Sequence, residues 1–570
     1  VFNKKILKMA RGAIPAELVL KNGSIVDVFN ERLIKSDIAI AKGKILGIGD
    51  YQGLKEVDIE DNIISPGFID GHLHLESAMV KVEEFAAWVI SRGTTTIFAD
   101  PHEISNVAGI EGIKYILESG NQLPWNFNLM LPSCVPATSN ETSGASLSAE
   151  KLAVLVDEEG VFGLGEVMDF VAVINGEQGL WDKIDLMKDR FIDGHAPGLS
   201  GKDLNTYLLA GIRADHECTV ESEAIEKVSK GMYVMIREGS VTRDLINLLP
   251  AVNNCNLARF MFATDDRNPG DLYQDGHMNF LIKKAVHSGM TSIRAIKLAT
   301  INTANALRLD NVGAIVPGYK ADLVILDNLN DFNVKKVFKD GKLVAENERL
   351  VVDLPEKKAG KAKKIFKSVN IGSLNKEKFD LPSYNKYRAM VLIKDKVITD
   401  QEEIVFKNKV KSSDLIAQNL VKIAVVERHK KTGNVGLGLL KGFGLQKGAL
   451  ALSIGHDSHN IIVVGLNSFD MYKAVQKIDE LQGGIVIAKQ GEIINYLPLE
   501  IAGLMSKKSI PETAKKLEQM KRIISSMGVV HRNPFMTLSF MALTVIPSLK
   551  ITDQGLFDVE ENKFVKVGVN

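Results

Sequence analysis

His72 and His74 stand two residues apart in FIDGHLHLES (68–77), at the end of an apolar run. On a helix such a pair diverges by about 200° and cannot share a ligand. On a strand both side chains point to one face, with Cα atoms about 6.5 Å apart. Their imidazoles can then converge on one cation at about 2.1 Å each. The preceding NIISPGFID (62–70) is β-branched and apolar, punctuated by Pro66 and Gly67, and reads as a strand. The spacing therefore permits a metal pair, and leaves two hydrogen-bonded histidines as the alternative.

The rest of the chain weighs on that choice. Apolar, strand-like runs occur at 62–69, 94–99, 127–135, 161–168, 190–195, 210–216, 233–238 and 259–264, with helical patterns such as SNVAGIEGIKYILESG (105–120) between most of them. Eight such runs in about 240 residues have the count and size of a (β/α)8 barrel. A doubly wound open sheet is the alternative. In a barrel, chemistry sits at the C-terminal strand ends, and seven of the eight runs end in ionisable residues. The first gives His72, His74 and Glu76, and the second Asp100, His102 and Glu103. The third offers only Ser133 and Cys134, and the fourth Glu166 and Asp169. The fifth gives Asp193 and His195, the sixth Asp215, His216 and Glu217, the seventh Arg237 and Glu238, and the eighth Asp265 and Asp266.

Each of these has an ordinary explanation when taken alone: a satisfied buried histidine, an ion pair such as Glu238 with Arg237, or a helix cap. Burying the whole set without a function would be costly. His, Asp and Glu donors together suit Zn2+, Mn2+ or Fe2+. Such an ion lowers the pKa of bound water to about 7, and a neighbouring carboxylate can move protons. The reaction class this favours is metal-assisted hydrolysis.

The 570 residues imply two to four domains. Lys+Arg and Asp+Glu are both 70, so the net charge is zero and nothing points to nucleic acid. The longest apolar runs are far too short for a membrane span, and the basic N-terminus does not resemble a signal peptide. Cys134, Cys218 and Cys255 form no CxxC pair, so a reducing cytoplasm is expected. Residues 1–66 and 310–353 share a texture of short strands, with NG and KG as hairpin turns, and read as one small β-sandwich domain built from both flanks. Residues 67–309 are the expected barrel, the lysine-rich 354–378 a solvated linker, and 379–570 a separate α/β domain.

The ordered set of His-x-His, fourth-strand acid, fifth- and sixth-strand histidines and eighth-strand aspartate resembles the amidohydrolase superfamily. So do DNIISPGFIDGHLH, NTANALRL and GAIVPGYKADLVILD around it. More narrowly, ADPHEISNVAG, GLGEVMDF, DGHAPGLSG, ADHE, FATDDRNPGDL and GALALSIGHDSHNIIVVG resemble the bacterial and archaeal adenine deaminases. The resemblance implies a binuclear centre of manganese or iron, with zinc a further option. His72 and His74 would bind one ion with Asp265, and His195 and His216 the other. Glu166 would bridge them, where many relatives use a carboxylated lysine. The implied reaction is adenine + water → hypoxanthine + ammonia, by a metal-activated hydroxide attacking C6. Asp265 would act as base, and Glu103 or Glu238 would protonate ring N1 or the leaving amine. Asp100 and His102 would be either a further ligand pair or groups that orient the ligands. GHAPGLSG would form a wall beside the flat base. For His456 and His459 a structural turn, a lid contact and an independent metal site all remain open. The expected partner is the small-molecule substrate, with neither nucleic acid nor membrane, in a homo-oligomer. Another amidohydrolase activity, or a binding protein built on the same barrel, is the competing reading.

Overall fold

A computed structural model describes residues 4–355, 365–393, 396 and 398–569. Eight parallel strands carry the histidine- and carboxylate-rich segment: β1 (Phe68–Leu73), β2 (Thr94–Ala99), β3 (Asn126–Leu131), β4 (Val161–Val167), β5 (Phe191–Gly194), β6 (Ala214–Asp215), β7 (Tyr233–Arg237) and β8 (Phe260–Ala263). They form a sheet of five, in the order β5-β4-β3-β2-β1, and a sheet of three, β6-β7-β8. A parallel bridge joins Leu73 to Asp265, and the Asp265 amide donates to the His72 carbonyl at 3.0 Å. The end of β1 thus lies beside the residues that follow β8. TTTIFA and FMFA are buried along their whole length, as expected where both faces of a parallel sheet are covered. One apolar cluster takes Ile69, Phe98, Met130, Phe162, Phe191, Ala214, Met235 and Met261, one from each strand.

The run at 62–69 is not one strand. Ile63–Pro66 ends in one sheet and Phe68 begins β1 in another. Gly67 makes the crossing, packed so closely on the Thr95 side chain that a Cβ would have no room. Ile63–Pro66 pairs with Ala16–Asp27 on one side and Leu323–Leu326 on the other. Strands from both flanks of the parallel segment therefore share a nine-stranded sheet. The NG at 22–23 does not turn a hairpin. It lies inside the strand Ala16–Asp27 as a bulge, with Asn22 at φ 58° and the register shifting between Leu20 and Gly23. A residue that tolerates positive φ serves a bulge as well as a turn. The KG at 42–43 does turn a hairpin, between Arg32–Ala41 and Lys44–Gly49. The helical pattern at 105–120 is two helices, His102–Ala108 and Ile110–Gly120, parted at Gly109 with φ 61°.

Beyond residue 385 an eight-stranded, largely antiparallel sheet packs against the helix Ser468–Leu481. It is tied to the parallel segment by backbone. The Ser506 amide donates to the Met79 carbonyl at 2.8 Å, and the Lys81 amide to the Ser506 carbonyl at 3.0 Å. Of the lysine-rich 354–378, residues 356–364 lie outside the described residues. Past them Ile365, Ser368 and Val369 are buried, with the Ala502 amide donating to the Ile365 carbonyl. This part of the stretch packs into the C-terminal sheet rather than running through solvent.

One buried ion cluster fixes the ends of β5 and β6. Lys227 Nζ donates to the Ala196 carbonyl (2.6 Å), Asp215 Oδ2 (2.8 Å) and Glu223 Oε1 (2.7 Å), while Asp215 Oδ1 accepts from the Ala196 amide at 2.8 Å. Lys227→Met would strand the buried Asp215 charge. The expected cost is about 3–5 kcal/mol, read as a lower urea midpoint for the full chain.

Candidate metal centre

Strand geometry brings the first two histidines together: His72 and His74 Nε2 lie 3.1 Å apart. Their outer nitrogens are already engaged. His72 Nδ1 donates to Asp193 Oδ2 and His74 Nδ1 to the Asp100 carbonyl, both at 2.9 Å. A carbonyl can only accept, so His74 carries its proton on Nδ1 and turns a bare Nε2 inward in the neutral ring. Asp193 does the same for His72. Two bare nitrogens at this distance repel unless a cation or a proton stands between them.

The other donors complete the arrangement. Glu166 Oε1 is 3.3 Å from His74 Nε2 and 3.4 Å from His102 Nδ1. Its Oε2 is 2.5 Å from His195 Nδ1 and 3.2 Å from His216 Nε2. Asp265 Oδ1 is 3.4 Å from His74 Nε2 and 3.9 Å from His72 Nε2. Ligands about 2.1 Å from one ion stand roughly 3.0–3.4 Å from each other, which fits the separations of 3.1–3.4 Å here, while His195 hydrogen-bonds Glu166 at 2.5 Å and His72 stands farther from Asp265 at 3.9 Å. All these side chains are buried except His195, which is partly open.

Electrostatics agree with the donor chemistry. Burial opposes charge on His74, yet Asp265 and Glu166 hold it well above the usual imidazole range. Burial likewise opposes charge on His216, but Glu166 pushes it up to about 10. Burial would raise Glu166 and Asp265. His195 instead holds Glu166 well below the carboxylate range, and His74 followed by Arg237 does so for Asp265. Carboxylates that stabilise protons on these rings would stabilise divalent cations in their place, so metal and protons compete.

The structure separates the Asp100–His102 pair. Asp100 spends Oδ1 on the His102 amide (3.2 Å) and Oδ2 on the Glu166 amide (3.0 Å), so it positions the backbone that carries both side chains. The His102 ring faces Glu166, and its Nδ1 has no hydrogen-bond partner. Arg237 does not pair with Glu238. Its guanidinium grips both oxygens of Glu217, Asp244 Oδ2 at 3.2 Å and Asp265 Oδ2 at 3.0 Å. Glu238 lies against Lys284, Nζ to Oε1 at 2.5 Å. Asp169 caps the helix Phe170–Asn175, and Asp266 accepts from Ser77.

Glu103 lies beyond these donors, on a narrow cavity also lined by Glu76, Ser77, Met79, His456, Phe535 and Ser539. His456 and His459 stand over it on the loop between Ala449–Leu452 and Ile461–Gly465. Asp193, Glu217 and Arg237 were visible in the sequence as strand-end residues, but their partners were not. Asp193 and His72 are 121 residues apart, and no local pattern links them. Asp193→Ala would free the His72 ring. Such orienting groups are worth about 10–100-fold in metal affinity, which competition with a chelator would measure as faster and more complete metal loss.

Residues 63–344 match the Amidohydrolase family and residues 396–563 the Adenine deaminase C-terminal domain. Adenine deaminase of Petrotoga mobilis is 56% identical over 568 residues, covering 100% of both chains. Adenine deaminase 2 of Carboxydothermus hydrogenoformans is 43% identical over 99% of each chain. Adenine deaminase of Clostridium acetobutylicum is 44% identical over 98% of this chain and 99% of its own. Full-length identity at this level, over a chain that places these donors together, means that the protein belongs to the adenine deaminase family of the amidohydrolases.

Proposed function

We propose that the protein hydrolyses adenine to hypoxanthine and ammonia at the centre around Glu166. The observation that carries this reading is the Glu166 carboxylate, whose two oxygens face separate sets of imidazoles, in a chain of the adenine deaminase family. We read the eight parallel strands as a closed (β/α)8 barrel at 67–309. The Leu73–Asp265 bridge and the apolar cluster drawn from every strand support closure. Residues 1–66 and 310–353 would form the small β domain, and 379–570 the C-terminal domain. No helix among the described residues is long and apolar enough to cross a membrane. The unpaired cysteines suit the cytoplasm.

His72, His74 and Asp265 would hold one divalent ion, His195 and His216 a second, and Glu166 would stand between them. Manganese or iron is our assignment, with zinc the alternative. Such ions, when bound, lower the pKa of a water to about 7 and so supply the nucleophile at neutral pH. Asp265 would serve as base as well as ligand, and Oδ1 is the oxygen it turns to the histidines, because Oδ2 is held by Arg237 and by Thr242 at 3.3 Å.

A carboxyl must then protonate ring N1 or the leaving amine. Lys284 holds Glu238 as an ion pair, which makes it a poor donor. Glu103 and Glu76 line the cavity instead, and burial raises both from the ordinary carboxyl value, Glu103 well above it, which favours the protonated form of each. Glu76 accepts the Ile104 amide on Oε1 and keeps Oε2 unpartnered.

The direct test is ammonia release and the ultraviolet shift with adenine, against adenosine, guanine and cytosine, in the presence of Mn2+ or Fe2+. Turnover of adenine is expected, and its absence with metal loaded would overturn the reading. Proton donation from the cavity wall predicts that Glu76→Gln lowers kcat by about 10²–10⁴, while Glu238→Gln stays within about tenfold of the parent. The reverse order would return the role to Glu238.

A further inference from the structure

A second group of donors lies on the seam between the parallel segment and the C-terminal sheet. Glu103, in the first turn of the helix His102–Ala108, faces His456 and His459. One donor atom from each of the three lies within 4.8 Å of the others, and all three residues are buried. Glu103 Oε1 stands 3.3 Å from His456 Nδ1, and Oε2 stands 3.8 Å from His459 Nε2. The second separation is beyond hydrogen-bond range. His459 is fully buried, and neither of its ring nitrogens has a hydrogen-bond partner. A buried imidazole in that state is costly unless something occupies it.

The loop is held as though the ring positions matter. Arg428, itself fully buried, donates Nε to the His459 carbonyl and both terminal nitrogens to the Ala502 carbonyl at 3.1 Å. Its amide reaches Asn460 Oδ1 at 3.2 Å, and Asn460 Nδ2 donates to the Thr142 carbonyl at 2.8 Å. His429 Nε2 donates to the Ser458 carbonyl at 2.6 Å. The His456 ring stacks on Phe540, with centroids 4.6 Å apart and planes at 19°. The His456 ring and the His459 backbone are thus fixed, with a ring nitrogen of each facing the Glu103 carboxylate, at 3.3 and 3.8 Å.

We propose that Glu103, His456 and His459 bind a further divalent transition-metal ion, a third per chain. Two imidazoles and one carboxylate suit Mn2+, Fe2+ or Zn2+, with water free to complete the sphere. The ion would neutralise a carboxylate that, among the described residues, has no Lys or Arg ion pair, and would pin the C-terminal loop to the hydrolytic segment. With Glu103 engaged as a ligand, Glu76 is the wall carboxyl left to donate a proton. The inference rests on the reading above only for the count of two ions at the Glu166 centre.

The test is metal stoichiometry on the full chain. Metal is stripped, Mn2+ is added in excess, weakly held ion is removed by gel filtration, and metal per chain is measured by mass spectrometry. The parent is expected to retain three ions, and His459→Ala, His459→Gln and Glu103→Gln two each, with parental circular dichroism. Asp265→Asn, which alters the Glu166 centre, should lose ion there and leave the third site filled. Two ions in the parent, or three in both His459 variants, would overturn the proposal. Three ions with no turnover of adenine would sink the assigned reaction and leave this site standing.

Discussion

The interaction on which this molecule depends is the Glu166 carboxylate set among imidazoles. It sits near the end of β4, between neighbours β3 and β5, and its oxygens face opposite ways. In a buried site, charge–charge terms are many times larger than in water. So many buried donors can coexist only if positive charge, as protons or as metal, is shared among them. That requirement reaches the backbone. The Glu166 amide is held by Asp100, its carbonyl accepts from Ser133, and the Ser133 carbonyl accepts from Lys183 at 2.5 Å. A slip of β4 by one residue would turn Glu166 to the opposite face, which the parallel pairings on both sides of β4 oppose.

Around that carboxylate runs an outer layer whose work is orientation. Asp193 sets His72, and the Asp100 carbonyl sets His74. Arg237 occupies one oxygen of Asp265 and both of Glu217, so Asp265 presents a single free oxygen to the histidines. Lys227 with Asp215 fixes the turn that carries His195 and His216. Arg237 is set against Glu217, Asp244 and Asp265, and Lys227 against Asp215 and Glu223, while Asp100 and Asp193 accept hydrogen bonds, so these buried charges are compensated.

The donors themselves were legible in sequence because parallel strands end where chemistry sits, and a polar residue after an apolar run marks such an end. Their partners were not. Arg237 and Glu238 look like a natural ion pair on paper. Adjacent residues of a strand project to opposite faces, and the side chains go to Asp265 and Lys284 instead. Asn22–Gly23 carries a strong turn signal, yet the chain continues straight through it. The same positive φ is compatible with a bulge, and long-range pairing with Arg32–Ala41 decides between them. The run at 62–69 hid a change of sheet at Gly67, because both sheets ask for the same apolar, β-branched residues.

The C-terminal segment is harder to judge from sequence, since none of its strands contributes to the Glu166 cluster. Its place becomes clear from what it covers. The loop that carries His456 and His459 closes over Glu103, while Phe535 and Ser539 line the same cavity as Glu76 and Ser77. The contacts that hold it there are buried or part-buried and mostly backbone-directed: Asn460 to Thr142, Ser506 to Met79 and Lys81, and Thr142 to Asp553. Bonds of this kind form only when both segments are folded and docked. A hydrolytic segment alone would leave Glu76 and Glu103 open to water, with neither raised far in pKa, because desolvation is the leading cause of both shifts. The cavity beside Glu76 and Glu103 is therefore lined by both halves of the chain, whereas the donors around Glu166 come from the parallel-strand segment.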